Sequence, residues 1–261
     1  MRENSGKFKL THYRNYTWIN PSYLDIQTQL LEIPENFEQN GVLLHVNPFD
    51  FSSVKKVKID SLGGGIDLAV KAFKFPQYIP LRRRLRPNRG LMGARHCKKI
   101  AMILRNMGIL TPEPLASFEF QKPIGAYQGF YACRFLETNF NHKPFLGIDF
   151  TNEIMYREFL GEFAHTIFRL HKCGIFHYDL THSNILVNKV GDGFNIAFID
   201  LNACRKRIYV KEKHILGSLV KISSSAHVMN FIGLEYAKHM GLDPVKFTYK
   251  LDFAHGNHWQ N

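Results

Sequence analysis

Two carboxylates and an amide stand in an order that suits the transfer of a phosphoryl group. Asp179 precedes Asn184 by five residues in His177-Tyr178-Asp179-Leu180-Thr181-His182-Ser183-Asn184, and Asp200 closes the apolar run Ile196-Ala197-Phe198-Ile199. In the H-x-D-x-x-x-x-N arrangement the Asp takes the proton of an acceptor hydroxyl and the Asn holds Mg²⁺. A later Asp holds the metal that bridges the phosphates of ATP. Asp179 is therefore the candidate catalytic base, and Asn184 and Asp200 are the candidate metal ligands. A loop carboxylate is costly to desolvate without a task. The structural alternatives are a hairpin cap for Asn184 and a helix cap for Asp200. His177 reads as a packed, hydrogen-bonded scaffold residue rather than a base. Thr181 and His182 share the loop and lie within reach of acceptor or phosphate.

The elements that must position these groups can be read from the pattern. Met155, Phe159, Phe163, Ile167 and Leu170 recur at helical steps and predict a core-facing helix, capped by Gly174 just before the loop. Ile185-Leu186-Val187 and Ile196 to Ile199 flank Gly191-Asp192-Gly193, a predicted hairpin that sets Asn184 at one end and Asp200 at the other. A helical stretch is expected near 226–240, with a loose tail from about His255. Upstream, residues 1 to about 40 predict an irregular or helical leading segment. Short β-branched and aromatic runs from Val42 to Phe75 predict antiparallel strands. A helix is expected from about Leu91 to Met107, ending at Gly108, and two strands near 115–120 and 128–135. The expected fold class is α+β and bilobal, protein-kinase-like. A small antiparallel-sheet lobe over residues 1–136 would supply the nucleotide grip. A larger helical lobe over 137–261 would carry the catalytic loop and metal site.

Within the first lobe, Lys71 in Leu68-Ala69-Val70-Lys71 is the candidate cation for the nucleotide phosphates, on a strand face shared with Ala69 and Phe73. Its structural alternative is a surface lysine on an edge strand; Lys74 would point to the other face. Gly63-Gly64-Gly65 lies too close to Lys71 to cradle phosphate and reads as a turn. The phosphate loop is expected around Asn47 to Ser53, where Ser52, Ser53 and backbone N–H groups could face the phosphates.

Net charge is +12, and Leu68 to Pro112 holds eleven basic residues with no Asp or Glu, leaving +1 for the remainder. The block comprises Lys71, Lys74, Arg82, Arg83, Arg84, Arg86, Arg89, Arg95, Lys98, Lys99 and Arg105. Ordinary surfaces mix signs, so so one-sided a block implies an anionic partner. A phosphate-bearing substrate or an acidic membrane surface fits best. Nucleic acid fits least, for no zinc finger, aromatic RNA signature or helix-turn-helix is present. Cys97, Cys133, Cys173 and Cys204 are scattered without a C-x-x-C pair, which argues against a zinc site or disulfide framework and for a reducing cytoplasm. No signal-peptide pattern opens the sequence, and no apolar run is long enough to cross a bilayer.

Lys71, the run Gly108-Ile109-Leu110-Thr111-Pro112-Glu113-Pro114-Leu115-Ala116 and the catalytic-loop motif together resemble the lipopolysaccharide kinases of Gram-negative bacteria. These enzymes phosphorylate Kdo or heptose in the inner core. Gly191 to Phe194, Ile199 to Asn202 and Glu235-Tyr236-Ala237-Lys238 are especially similar to members from Bacteroides-like bacteria. The resemblance spans roughly residues 50 to 240. It implies ATP and Mg²⁺ as cofactors, no further metal, a cytoplasmic protein, and work at the inner face of the inner membrane on a lipopolysaccharide core or other anionic sugar. The basic 71–105 block would supply the membrane contact. Three departures stand out. The helix after the strand lysine holds no Glu, Asp-Phe-Gly is replaced by Asp200-Leu201-Asn202, and Tyr178 replaces the Arg of phosphorylation-regulated kinases. Regulation by activation-loop phosphorylation is therefore not expected. The alternatives are a membrane-surface pseudokinase scaffold and a kinase acting on protein or small molecules.

Overall fold

The computed structural model describes residues 14–47, 52–61, 64–75, 93–121, 127–146 and 153–259. The chain divides into two compact units, Met1–Lys98 with Pro114–Phe135, and Lys99–Glu113 with Leu136–Asn261.

The first unit is built on a six-stranded antiparallel sheet. Its strands are β1 (Arg14–Ile19), β2 (Val42–Asn47), β3 (Ser52–Ile59), β4 (Ile66–Phe75), β5 (Pro114–Gln121) and β6 (Tyr127–Arg134), in the order β1-β5-β6-β4-β3-β2. Alternation decides its two faces. Leu68, Val70 and Ala72 are fully buried on one face, in a cluster with Phe118, Phe130 and Ala132 that α1 (Gln27–Asn36) covers with Leu30 and Ile33. Asp67, Ala69, Lys71 and Phe73 take the other face. The cross-strand partners of Lys71 there are Val54 on β3 and Tyr131 on β6.

Helix α2 (Ala94–Asn106) starts against the Lys71 face of the sheet. The Arg95 backbone N–H donates to Glu119 Oε1 at 2.8 Å, and the Arg95 guanidinium lies 4.7 Å from the centre of the Tyr16 ring. Lys98 stands 4.8 Å over Trp18. Strand β1 was not foreseen. Tyr16, Thr17, Trp18 and Ile19 are all strand formers, and all six residues of Arg14–Ile19 pair with β5.

In the second unit, α3 (Glu153–Lys172) completely buries Phe159, Phe163, Ile167 and Leu170 of the stripe that the helical spacing predicts, while Met155 is half-buried. Then follow β7 (Ile175–His177), the hairpin β8 (Ile185–Val190) and β9 (Gly193–Phe198), and β10 (Cys204–Lys206), which pairs antiparallel with β7. Helices α4 (Glu212–Leu219), α5 (Ala226–Met240) and α6 (Pro244–Trp259) complete it.

The tail expected to be loose from about His255 instead forms the end of α6, up to Trp259. Asp243 Oδ1 accepts from the backbone N–H groups of Val245 and Lys246 at 3.0 and 3.1 Å, and Pro244 occupies the first turn. His255 is buried and its Nε2 is 2.7 Å from the Ser223 carbonyl.

Between α3 and β7, Gly174 adopts φ +72°, and an added Cβ would stand 2.6 Å from the Arg207 carbonyl oxygen. The Arg207 N–H also donates to the Gly174 carbonyl at 2.7 Å, so the two backbones touch directly. Gly174→Ala should therefore destabilise by about 1–2 kcal/mol from the left-handed backbone alone, with the steric clash in addition. A urea titration with an unchanged midpoint would refute this.

Candidate active site

The loop that carries Asp179 lies between β7 and β8, and its geometry is set by hydrogen bonds at both ends. His177 is fully buried; its Nδ1 accepts from the Asp179 N–H at 3.2 Å and its Nε2 donates to the Ile199 carbonyl at 2.9 Å. One nitrogen accepting and the other donating defines a neutral imidazole protonated on Nε2. Burial holds the pKa of His177 below its ordinary value; the Ile199 carbonyl and the nearby Asp200 and Asp179 charges oppose that shift without cancelling it.

A second buried imidazole supports the first. Tyr236 Oη is 2.8 Å from His171 Nδ1, and His171 Nε2 is 3.1 Å from Ser218 Oγ. Ser218 donates to the His177 carbonyl at 2.9 Å, so its oxygen is left to accept from His171. That fixes the direction of the whole chain: Tyr236 to His171, His171 to Ser218, Ser218 to the loop. Burial pushes His171 down to about 3 and the Tyr236 hydroxyl up.

Asp179 is held through both carboxylate oxygens. Lys221 Nζ lies 2.9 Å from Oδ1, and Asn184 Nδ2 donates to Oδ2 at 3.1 Å and to the Asp179 carbonyl at 2.7 Å. Each oxygen keeps a lone pair for a further proton or hydroxyl. The loop turns tightly, with the Thr181 N–H on the Asp179 carbonyl at 2.9 Å and the Asn184 N–H on the Thr181 carbonyl at 3.0 Å. Thr181 Oγ1 and Ser183 Oγ are 2.8 Å apart.

Asp200 follows Ile199, whose N–H donates to the Asn184 carbonyl at 3.0 Å and whose carbonyl accepts from His177. The two ends of the β8–β9 hairpin are thus tied to the same loop. Asp200 has φ 54° and ψ 51°, and among the described residues no other non-glycine has positive φ. A non-glycine residue in that region costs about 1–3 kcal/mol and persists only where its surroundings hold it, as the bonds on either side of Asp200 do.

The donor chemistry of this pair fits a hard divalent cation. The hydrogen bonds of the Asn184 amide to Asp179 are made by Nδ2, which leaves Oδ1 for a ligand. Among the described residues no cluster of three His, Cys, Asp or Glu side chains could hold a metal. Mg²⁺ needs none, since it keeps waters and takes one or two protein oxygens plus substrate phosphates.

In the first unit, Lys71 is half-buried, with Nζ 5.4 Å from the centre of the Phe73 ring. Ser52 is buried and pairs with Phe73, on the face of Lys71, whereas Ser53 pairs with Ala72, on the opposite face. Residues 48–51 of the expected phosphate loop lie outside the described residues, as do Gly63 and the arginines from Arg82 to Arg89. Lys74 makes an ion pair with Glu38, away from Lys71's face.

Sequence reasoning missed Lys221, Ser218, His171 and Tyr236. None belongs to a local motif. Lys221 carries the one hint, an ammonium set between the apolar Val220 and Ile222.

Residues 93–236, more than half of the chain, match the model of the lipopolysaccharide kinase (Kdo/WaaP) family. Among solved structures the chain is similar to WaaP in complex with acyl carrier protein, at 12% identity and a TM-score of 0.66. That likeness covers 93% of this chain and 98% of the other, and at such identity it is one of fold: α+β and protein-kinase-like. No curated protein matches by sequence.

The buried imidazoles of His171 and His177 make stability depend on pH. Both have folded pKa values below the ordinary 6.5, so below that value the unfolded chain binds protons that the folded chain does not. Stability is therefore complete above about pH 6.5 and falls toward acid, by up to about 1.4 kcal/mol per pH unit for each group. Urea midpoints measured from about pH 7 down to about pH 5 should drop steadily, and less steeply in a folded His171→Phe variant. A flat profile would contradict the neutral assignment.

Proposed function

Because the chain belongs to the lipopolysaccharide kinase (Kdo/WaaP) family, we propose that it phosphorylates a Kdo or heptose hydroxyl of the lipopolysaccharide inner core. Family membership makes it a phosphotransferase that uses ATP on an alcohol acceptor. The observation that carries the finer reading is the carboxylate of Asp179, gripped by Asn184 and Lys221 at the mouth of a tightly hydrogen-bonded loop.

Asp179 would accept a hydrogen bond from the acceptor hydroxyl and take its proton as the oxygen attacks the γ-phosphorus. The new bond joins sugar oxygen to phosphorus, and the bond from phosphorus to the bridging oxygen of ADP breaks. Asn184 and Asp200 would hold Mg²⁺, which when bound neutralises charge on the phosphates. Lys71 would anchor the nucleotide phosphates, with Ser52 on its face of the sheet; Ser53, on the opposite face with strands paired on both sides, takes no part.

Lys221 belongs in this set. A hydroxyl within hydrogen-bond reach of Asp179 brings the transferring phosphoryl group close to an ammonium 2.9 Å from the same carboxylate. Lys221 would then offset charge on the base and on the equatorial phosphoryl oxygens. We place the reaction at the inner face of the inner membrane. Among the described residues no helix is long and apolar enough to cross a membrane, which fits a peripheral position.

Radiolabelled ATP offered with lipopolysaccharide bearing Kdo and heptose, with protein and with small metabolites tests the acceptor. Asp179→Asn should lower kcat by about 10²- to 10⁴-fold with the melting temperature retained. Lys221→Met should cost about 10²-fold in kcat with little change in the KM for ATP. Full turnover in the Asp179 variant would remove the assignment of the base. Transfer to protein alone would remove that of the sugar.

A further inference from the structure

The second unit presents a face that the phosphoryl-transfer chemistry leaves unused. From β10 into α4 the chain reads Arg205-Lys206-Arg207-Ile208-Tyr209-Val210-Lys211-Glu212-Lys213. Ile208 is 88% exposed and Tyr209 81%, with Val210 exposed beside them. On α6, Val245, Tyr249 and Phe253 recur at four-residue steps and are all more than two-thirds exposed. They lie opposite the buried Phe247, Leu251 and His255 of the same helix. Lys250 Nζ and Glu212 Oε2, 2.9 Å apart, bring the flank of this stripe to the end of the loop.

Charge follows the same face. Residues 205–213 hold five cations and one acid, and the acid is the one that Lys250 takes. Lys246 flanks the α6 stripe, 3.6 Å from Asp243 at the helix start, and Asp252 is part-buried next to it. The tip is not a loose end. Its base is the β7–β10 pair, and the Arg207 N–H is bonded to Gly174.

Exposed apolar side chains scattered singly need no explanation, whereas a cluster of them ringed by cations does. Side chains as exposed as Ile208 and Tyr209 project outward rather than line a groove, which suits a deformable surface. Tyr, Phe and aliphatic residues among Lys and Arg are what an interfacial element presents to acidic lipid: rings and methyls to the acyl boundary, cations to headgroup phosphates. The described members of the 71–105 block are partly spent within the first unit. Lys74 pairs with Glu38, and Arg95 and Lys98 lie over Tyr16 and Trp18.

We propose that this face docks the protein on an anionic lipid bilayer, with Ile208, Tyr209 and Val210 entering the interface and the α6 stripe lying along it. The inference builds on the lipopolysaccharide reading only in that a lipid-linked acceptor is met at a bilayer. The binding test needs neither ATP nor acceptor.

Co-sedimentation of the full chain with vesicles of phosphatidylcholine, alone or mixed with phosphatidylglycerol, tests it. Binding should require the anionic lipid and weaken as salt is raised. Ile208→Ser with Tyr209→Ser should reduce binding at least tenfold, and Tyr249→Ser with Phe253→Ser should also reduce it. Melting temperature and turnover on a detergent-free, deacylated acceptor should stay unchanged in both. The proposal is overturned if the wild type ignores anionic vesicles, as a face made for an acidic protein would. It is equally overturned if both double variants bind as the wild type does while Arg82→Gln, Arg83→Gln, Arg84→Gln abolishes binding. Intact vesicle binding without any phosphotransfer would instead remove the kinase reading and leave the surface standing.

Discussion

One neutral imidazole organises the loop that carries Asp179. His177 is fully buried, yet both of its ring nitrogens are satisfied, by the Asp179 N–H on one side and the Ile199 carbonyl on the other. These bonds fix where the loop begins and where the strand before Asp200 ends. A protonated ring would lose its acceptor and push away the Asp179 N–H. A ring without Nε2–H would leave the Ile199 carbonyl unpaired in a dry interior, at a cost of about 1–3 kcal/mol. The spacing between Asp179 and Asp200 along the chain is thus converted into a shared frame by one side chain with one allowed tautomer.

The frame is anchored in the helical core by the chain from Tyr236 through His171 and Ser218 to the His177 carbonyl. Each member has a single donor role, so the direction cannot reverse without leaving a group unsatisfied. Stacking of His171 on Phe176, with ring centres 4.6 Å apart, fills the remaining space. The loop that carries Asp179 therefore rests on groups from α3, α4 and α5.

Much of this was legible in the sequence where the determinants are local. The stripe of α3, the Gly174 stop and the hairpin about Gly191 each follow from short-range patterning, and the loop motif follows from its spacing. Lys221 was invisible because its role comes from a contact 42 positions away, with no periodicity to signal it. Strand β1 carries strand formers in Tyr16, Thr17, Trp18 and Ile19, but it is short and its partner β5 lies far along the chain. Helix α6 is legible in Asp243-Pro244, a helix start by its chemistry. Ser53 shows a finer limit. Composition suggested it, but strand alternation turns it to the face opposite Lys71.

The absence of an acidic residue from α2 looks at first like a missing part, because regulated kinases use a helix Glu to grip the strand Lys. Here the attachment runs the other way: a strand carboxylate, Glu119, accepts from the Arg95 N–H at the start of the helix. A carboxylate at a helix N-terminus is favoured by the exposed N–H groups and the dipole. Arg95 and Lys98 then lie over the Tyr16 and Trp18 rings, which adds cation–π attraction of about 0.5–2 kcal/mol each. The start of α2 is held to its own sheet by this carboxylate and these two rings, contacts made within one compact unit.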